Sequence, residues 1–481
     1  MLLALAALVF LVLLLVVWPR RPAGGPPGPT PVPVLGTLAF LGARTRTELF
    51  NTLQTLSERY GHVVGFFAGA TYHVYVEGLA AARRAMAEPA AHGRAAGSAQ
   101  MALSFGRPRG VIVAEGDRWR TNSAFLYATL EEMISSGEAE RFICEELTRL
   151  CDRLRLGTGS AVPVQSLFRQ PYVALSWRIV TGCRLPEQQA QRLTALLAAE
   201  LAGLQNGWVD SPLLRRLAPE RSGYADVLRF RDELRATFAA TVSDSRYRDG
   251  TLVARLRAKR GPGWRPADDQ DLVMFLFDFL NAGCETTSSF GEWSLLYLLR
   301  EPAELGAVRA ELDTLGFLAR GADMVRLPRT RAFLSEVMRR SSLTPASVPH
   351  RATAPLTIEG FSVPEDAVLR YGIQSTHWDG RLWPQPELFR SQRFLRDGQF
   401  VSSDDLAPYG VGARRCTGRR LAELYTFLMV SWLVQQLDVM PPPGQMPPDE
   451  DAEIALTRNC LPYRAVFRPR ADGGLGGVRT Q

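Results

Sequence analysis

The feature that most constrains the fold is one long helical pattern, which covers residues 268–300. Its first part, DLVMFLFDFL, places apolar side chains on most faces of a helix. A helix that is apolar nearly all round is buried, so this segment is predicted to run through the core. The chain must therefore supply other helices that surround it.

Further patterns at helical spacing occur along the chain, and short runs rich in β-branched residues lie towards both ends. Other predicted helices cover residues 45–60, 118–134, 139–156, 186–205, 224–247, 302–315, 329–341 and 419–437. Predicted strands cover residues 62–67, 73–77, 356–358, 368–373 and 464–468. The sequence predicts a mainly α protein with a small β-sheet, in the α+β class.

The start of the chain is strongly apolar. Residues 2–18 form an uninterrupted apolar run, and Arg20 and Arg21 follow at once. Such a run reaches the lower limit of about 17 residues for a membrane span, and the flanking arginines predict a cytosolic body. A cleaved signal peptide is the alternative, but the run has no basic segment before it and proline rather than a small-residue cleavage site after it.

Composition also divides the rest of the chain. Prolines dominate residues 20–36, which predicts a stiff, extended hinge. Residues 471–481 are rich in glycine and are expected to be disordered. We therefore expect a membrane anchor at 1–19, the hinge at 20–36, one compact domain at 37–470 and a tail at 471–481.

Charge and cysteine content exclude several classes of protein. The net charge is +7, but basic and aromatic residues are not interleaved in any tract, so no nucleic-acid partner is expected. The six cysteines form no C-x-x-C pair. This spacing argues against a zinc site and a disulfide scaffold, and it favours reduced thiols.

One cysteine, Cys416, lies in the glycine-rich stretch PYGVGARRCTGRRLAE, just before a helical pattern. The helix dipole and the neighbouring cations are predicted to lower the pKa of its thiol. These cations are Arg414, Arg415, Arg419 and Arg420. A stabilised thiolate is either a nucleophile or a metal ligand, and a structural core cysteine is the third interpretation.

Polar residues interrupt the long apolar helix at NAGCETTSSFGEW, where Gly283, Glu285, Thr286 and Thr287 lie close together. Glycine in a helix and a buried carboxylate both cost free energy. A polar seam between helices is one interpretation. The other is a groove in which a group approaches the backbone while an acid and a hydroxyl pass protons.

A third pattern, FLSEVMRR, places Glu336 and Arg339 on one face of a helix. Pairs of this kind are usually solvated and weak. Apolar neighbours favour partial burial here, and Arg393 of QRF is the candidate further partner.

Taken together, these segments resemble the cytochromes P-450, in particular animal microsomal proteins of the family-2 kind. YGVGARRCTG resembles the haem loop, AGCETT the oxygen-activation motif, and Glu336 with Arg339 the ExxR pair. GVIVAEGDRW, SVPHR, SQRF and the PPGP hinge follow the family's order. The resemblance covers nearly the whole chain.

The resemblance implies a helix-rich prism that holds heme b between the long helix and the cysteine loop. It implies that Cys416 is the iron ligand, and that Glu336, Arg339 and Arg393 form a structural triad. The implied haem contacts are Arg94, Trp119, Ala282, Gly283, His350 and Arg414. Glu285 and Thr286 would supply the protons that oxygen reduction consumes.

The implied reaction is monooxygenation of a lipophilic small molecule, with electrons from NADPH delivered by NADPH-cytochrome P-450 reductase. Cytochrome b5 is a second candidate donor, and Arg415, Arg419 and Arg420 would form the basic docking face. The expected location is the endoplasmic reticulum membrane, with the domain on the cytosolic side. A haem-thiolate isomerase or dehydratase and a non-catalytic haem protein are the alternatives.

The sequence departs from the family pattern at several positions. Ser123 stands where the motif WxxxR has arginine, which predicts looser haem binding. Tyr409, Cys284 and Ser391 are milder changes. The substrate pocket is expected to be lined by residues 95–113, Phe275, Phe279, Thr287, residues near Val348, Cys460 and Leu461.

Overall fold

The computed structural model describes residues 18–32, 36–37, 45–94, 99–157, 159–165, 167–205, 209, 211–242, 250–260, 270–454 and 457–470. Nearly all of the predicted anchor and the whole predicted tail lie outside these ranges. Among the helices in the described ranges, none combines the length and the apolar character that a membrane span requires.

Helices make up most of the described structure. They are α1 (Arg46–Tyr60), α2 (Leu79–Ala87), α3 (Ala99–Leu103), α4 (Gly116–Ser135), α5 (Glu138–Leu156), α6 (Arg169–Thr181), α7 (Glu187–Gln205), α8 (Pro212–Leu217), α9 (Tyr224–Val242), α10 (Leu252–Arg260), α11 (Gln270–Arg300), α12 (Pro302–Asp313), α13 (Pro328–Ser341), α14 (Gln374–His377) and α15 (Arg419–Gln436). The long predicted helix is α11, and the other predicted helices are confirmed within a few residues where they are described.

Helix α6 was not predicted from the sequence. Its residues RQPYVALSWRIVT are buried on nearly every face, so they show no alternation between an apolar and a polar side. Helix α6 packs directly against α11, which explains why it needs no solvent face.

The strands are short. They are β1 (Val63–Ala68), β2 (Thr71–Val76), β3 (Gly93–Arg94), β4 (Ala161–Pro163), β5 (His350–Arg351), β6 (Leu356–Ile358), β7 (Phe361–Val363), β8 (Val368–Tyr371), β9 (Leu395–Arg396), β10 (Gln399–Phe400), β11 (Leu437–Met440), β12 (Ala452–Ile454), β13 (Arg458–Cys460) and β14 (Arg464–Pro469). The predicted α+β class is confirmed.

The largest sheet joins distant parts of the chain in the order β1-β2-β8-β5-β3. Strands β2 and β8 are parallel, whereas β3 and β5 pair in antiparallel fashion with Arg94 opposite His350. The pairing therefore brings together two side chains that lie 256 positions apart in the sequence.

The described hinge residues lie against this sheet. The backbone N–H of Gly65 donates to Pro27 O at 2.8 Å, and the N–H of Ser362 donates to Gly24 O at 2.8 Å. A Cβ atom on Gly28 would lie only 1.9 Å from Gly65 O, so glycine is required for this approach. The hinge is anchored to β1 and to the β6–β7 hairpin.

Helix α11 crosses the centre of the main hydrophobic core, as its apolar pattern predicts. It packs against α6, α13 and α15. A Cβ atom on Gly291 would lie 2.7 Å from the ring of Phe168, so this glycine lets the segment before α6 approach α11 closely.

The pair on helix α13 is fully buried. Arg339 Nε and Nη2 donate to the two carboxylate oxygens of Glu336, each at 2.8 Å. Arg339 Nη1 also donates to His377 O at 2.7 Å, and Arg393 Nε lies 3.4 Å from Glu336 Oε1. The predicted contact among these three side chains is confirmed, and the solvated alternative is wrong.

Replacement of Arg339 tests how much this buried pair stabilises the fold. Arg339→Gln breaks the two short hydrogen bonds to the buried Glu336 carboxylate and leaves it only the longer contact with Arg393. Breaking a buried pair typically costs about 3–5 kcal/mol. Arg120→Gln is the control, because Arg120 pairs with Asp117 on the surface. We expect a large fall in the thermal unfolding midpoint for Arg339→Gln and little change for the control. Equal shifts would contradict the assigned role.

Candidate functional site

The loop that carries Cys416 turns between the sheet and α15. Positive φ angles of 76° at Gly410 and 72° at Gly412 shape it, and a Cβ atom on Gly412 would lie 2.8 Å from Met86. The N–H of Cys416 donates to Tyr409 O at 2.9 Å. Cys416 is exposed and precedes the N-cap of α15 by two residues, as predicted.

The predicted effect on the pKa of this thiol is wrong in direction. Part of the residue Cys416 is exposed, but protein surrounds its sulfur atom. This burial disfavours the charged thiolate and raises the pKa of the thiol. The amide of Gly418 and the charge of Arg419 lower the pKa, but burial has the larger effect, and Glu423 adds to it.

The flanking arginines do not converge on the sulfur. Arg414 turns back and places its guanidinium 4.4 Å from the centre of the Trp119 ring. Arg419 Nε lies 3.6 Å from Glu423, and Arg420 Nη1 lies 3.1 Å from a glutamate of α4, Glu131. The side chains of these arginines, although close in the sequence, therefore lie in separate environments.

A cluster of cations lies beside the loop. Arg94 is 7% exposed, and its Nε donates to Ile112 O at 2.7 Å. Arg414 Nη2 donates to Ala114 O at 2.9 Å and more weakly to Ile112 O at 3.3 Å. His350 is buried opposite Arg94 in the sheet. We call Arg94, Arg414 and His350 the cation cluster.

Burial and mutual repulsion disfavour positive charge in the cation cluster. Burial lowers the pKa of Arg94 to about 10. Burial, followed by the charge of Arg94, lowers the pKa of Arg414 to about 8. Burial and then both guanidinium groups hold the pKa of His350 well below its usual value.

Several nitrogen atoms of this cluster have no hydrogen-bond partner among the residues that the structure describes. They are Nε and Nη1 of Arg414 and Nδ1 of His350. Buried donors without partners are costly, and an anion between these side chains would satisfy them. The two propionate carboxylates of a haem fit this requirement.

The metal-binding potential of the described residues is limited. They contain no group of three or more His, Cys, Asp or Glu side chains placed to hold a metal ion. A single thiol such as that of Cys416 suits a metal whose other ligands come from a carrier, and the porphyrin of haem is such a carrier. The residues present therefore fit haem.

One face of the largely buried helix α11 keeps accessible surface at Ala282 and Thr286, and we call these two positions the open stripe. Ala282 is exposed and Thr286 is half-buried, and these positions share a face because they lie four residues apart. Thr286 Oγ1 donates to Ala282 O at 2.8 Å. At Gly283 the close neighbour is Tyr172, whose hydroxyl oxygen would lie 2.0 Å from an added Cβ.

Glu285 does not share this open stripe. It is 3% exposed and accepts hydrogen bonds from Arg169 at 2.8 Å, Thr457 at 3.0 Å and Asn459 at 3.0 Å. The carboxylate thus ties α11 to α6 and β13, as expected for the polar seam. The acid and the hydroxyl of the motif occupy different faces of the helix.

Asp278 was missed by the sequence analysis. It is buried on α11, and its Oδ2 accepts the N–H groups of Val111 at 2.6 Å and Ile112 at 2.8 Å. Burial raises the pKa of this carboxyl to about 7, although both backbone donors lower it. The signal was present, since an aspartate interrupts the apolar run DLVMFLFDFL.

Ser123 lies against the cysteine loop. Its Oγ is 3.1 Å from the hydroxyl oxygen of Thr417, the residue after Cys416. The looser haem binding expected from this substitution stays a prediction.

The residues expected to line the substrate pocket differ in burial. Residues 95–98 lie outside the described part of the chain, and Leu461 is exposed. Phe275 packs edge-on against Phe125, with ring centres 5.9 Å apart. Phe279 and Thr287 are also buried, and Cys460 Sγ lies 3.9 Å from the carboxylate of Glu292.

The chain is similar to known proteins over nearly its whole length. The family model described as Cytochrome P450 matches residues 26–467. The chain is 26% identical to the farnesoate epoxidase of Bombyx mori, over 97% of this chain and 99% of that protein. It is 28% identical to cytochrome P450 2D14 of Bos taurus, over 97% and 98% of the two chains.

A third relative is the steroid 17-alpha-hydroxylase/17,20 lyase of Gallus gallus, which is 28% identical over 97% of this chain and 98% of that protein. The family match, the thiol on its glycine loop and the unpaired buried nitrogen atoms of the cation cluster agree with one another. The protein belongs to the cytochrome P450 family and is a haem-thiolate monooxygenase with heme b as its cofactor.

Proposed function

We propose that this protein inserts one oxygen atom of O2 into a lipophilic small molecule, with Cys416 as the ligand of the haem iron. The observation that carries this assignment is the cation cluster, which includes two unpaired nitrogen atoms of Arg414, two residues before Cys416. A dicarboxylate porphyrin satisfies both features at once.

Each residue of the site would have a separate part in holding haem. Arg94, Arg414 and His350 would bind the propionates, and Trp119 would support Arg414 through the stacking contact. Ala282 would face the porphyrin from α11. When bound, a thiolate-ligated haem supplies the electron density that favours O–O cleavage.

Gly283 would act indirectly. Because a side chain at this position would collide with Tyr172, the glycine keeps α11 close to α6. The open stripe of Ala282 and Thr286 then keeps its place, and Gly283 helps to shape the haem site without a polar contact of its own.

Thr286 and Glu285 would divide the handling of protons. The half-buried hydroxyl of Thr286 would hold a proton at Oγ1 on the open stripe. Glu285 would exchange protons with solvent on the side of Arg169, whose side chain is 21% exposed. To reach Thr286, the Glu285 carboxylate would have to leave its present hydrogen bonds, so proton delivery would include a side-chain movement.

Electrons would enter at the face formed by Arg415, Arg419 and Arg420, which keep exposed surface. The donor would be NADPH-cytochrome P-450 reductase, with cytochrome b5 as a second donor. Acidic partners are steered by such a surface. Because Arg419 and Arg420 are each paired with a glutamate, the attraction is weaker than the arginine count suggests.

The protein would be attached to the endoplasmic reticulum membrane through the apolar run at residues 2–18, with its catalytic domain in the cytosol. Arg20 and Arg21 support this orientation. The hinge residues that bond to β1 would pass the orientation of the anchor on to the domain.

The substrate would be lipophilic. The names of two relatives refer to farnesoate and steroid chemistry. Apolar residues also dominate the segments expected to form the pocket, which favours a fatty acid, steroid, terpenoid or xenobiotic compound. A screen of such compounds by their shift of the haem absorption spectrum would identify the class.

Cys416→Ser tests the iron ligand. The variant should lose the red-shifted absorption band of the reduced carbon monoxide complex, because serine cannot supply a thiolate. Cys183→Ser, at a half-buried cysteine outside the site, should keep the band. A band that survives in Cys416→Ser would overturn the assignment. In the wild type, product formed without reductase would instead indicate an isomerase or dehydratase.

Thr286→Ala tests the proton assignment. The variant should bind haem normally, yet form several-fold less product per NADPH consumed, because Oγ1 no longer holds a proton on the open stripe. Ser288→Ala is the control, since Ser288 donates within the helix to Cys284 O at 2.6 Å. An unchanged ratio of product to NADPH in Thr286→Ala would refute the role.

Asp278→Ala tests the support of the cation cluster. The variant leaves the N–H groups of Val111 and Ile112 unpaired, and each such loss costs about 1–3 kcal/mol. We expect about tenfold faster transfer of haem to apomyoglobin, because the carbonyl that holds Arg94 and Arg414 is no longer fixed. Asp313→Ala removes a distant ion pair and should leave the rate unchanged. Equal rates in both variants would contradict the support role.

A further inference from the structure

A buried carboxyl that the proposed function does not use lies on helix α11. Glu292 is 4% exposed and stands seven residues after Glu285. Seven residues are close to two full turns of a helix, so the two side chains leave α11 on the same side. This side faces β13 and the start of α6. We call Glu285 and Glu292 the glutamate pair.

Strand β13 contacts both members of the glutamate pair through successive residues. The side-chain amide of Asn459 donates to Glu285 Oε1 at 3.0 Å. Cys460 is the next residue of the strand, and its Sγ lies 3.9 Å from Glu292 Oε2. An amide is a full hydrogen-bond donor and a thiol is a weak one, so the strand supports the two carboxyls unequally.

The Glu292 carboxyl is poorly supplied with hydrogen-bond donors. Among the described residues, the thiol of Cys460 is the only side chain that donates to it. The nearby hydroxyl of Tyr463 donates instead to the backbone oxygen of Glu292, at 2.5 Å. Glu285 accepts three hydrogen bonds, one of them from a cation. Within the pair, only Glu285 has the donors that a buried carboxylate requires.

The cation beside the glutamate pair is Arg169, which donates through Nη2 to Glu285 Oε2 at 2.8 Å. The residue before it, Phe168, packs on Gly291, which precedes Glu292. Burial and then the charge of Glu285 hold the pKa of Glu292 well above its usual value, although Arg169 lowers it. One negative charge on the pair therefore matches the one cation, and the proton resides on Glu292.

We propose that Glu292 stores the proton that Glu285 passes to Thr286. When Glu285 takes up this proton and leaves its hydrogen bonds, the ionised Glu292 becomes the partner of Arg169. The inference rests on the proposed role of Glu285 in proton delivery. Glu292 acts through Glu285, so it is a positioning residue rather than a catalytic one.

The transfer conserves atoms and charge. One O–H bond breaks at Glu292 and one forms at Glu285, and water at the partly exposed side of Arg169 carries the proton between them. One carboxylate and one cation are present before and after the step, and no electron moves. A solvent proton later restores Glu292. The exchange makes the movement of Glu285 easier, because Arg169 keeps a charged partner throughout.

Infrared difference spectroscopy of the holoenzyme tests whether Glu292 holds a proton. The spectrum of the wild type minus that of Glu292→Gln should show, at neutral pH, the carbonyl band of a protonated carboxylic acid, and this band should move in D2O. Glutamine is neutral and has nearly the shape of a protonated glutamate, so the variant should fold and bind haem. Carboxylate bands in place of the acid band overturn the proposal.

Glu304→Gln is the matched control. Glu304 is a buried glutamate of α12 that accepts the N–H of Ser391 at 3.2 Å and the hydroxyl of Ser391 at 2.6 Å. It lies outside the haem site and the glutamate pair. The spectrum of the wild type minus that of Glu304→Gln should lack the acid band.

The yield of product tests the role in proton delivery. Glu292→Gln should form several-fold less product per NADPH consumed, and the deficit should grow as the pH rises, because Glu285 must then take increasingly scarce protons directly from solvent. Glu304→Gln should keep the wild-type ratio and its pH dependence. A deficit in Glu292→Gln that is equal at every pH indicates a packing effect and overturns the proposal.

Thr286→Ala separates this inference from the proposed function. If Thr286→Ala lowers the ratio of product to NADPH while Glu292→Gln leaves it unchanged at every pH, the proton store is overturned and the proposed function stands. If Thr286→Ala also leaves the ratio unchanged, the proton delivery on which the inference rests is itself overturned.

Discussion

The haem site depends on one shared acceptor, the carbonyl of Ile112. It receives hydrogen bonds from Arg94 and from Arg414, two cations that repel each other in a buried place. The N–H of the same residue is held by Asp278 of α11. A single residue, through the peptide groups on its two sides, thus connects the long helix to the two arginines beside Cys416, and its position brings their side chains to one site.

Helix α11 serves the core and the site on different faces. Its apolar faces, with Gly291 against Phe168, fill the centre of the protein, whereas Ala282 and Thr286 leave one stripe open. Glu285 faces a third direction, towards Arg169 and β13. Since successive side chains of a helix are rotated by about 100° around its axis, adjacent positions of one motif face different neighbours and serve separate functions.

Periodicity and short motifs predicted much of this arrangement. The long helix, the loop before α15 and the contact of Glu336 with Arg339 all follow from local spacing. The sequence analysis missed α6, because a helix buried on every side has no polar face to reveal it. It also missed Asp278, whose partners Val111 and Ile112 lie more than 160 positions away in the chain.

The sequence by itself determined the family, the cysteine that would bind iron and the residue types of the haem site, because these depend on local order and spacing. Only the tertiary structure decided where the arginines point. Four of them flank Cys416, yet they go to Trp119, to two glutamates and to solvent, so burial raises the pKa of the thiol where proximity predicted the opposite. Distances between side chains and the loss of water around them arise only when distant segments pack, and these two quantities set the electrostatics of the site.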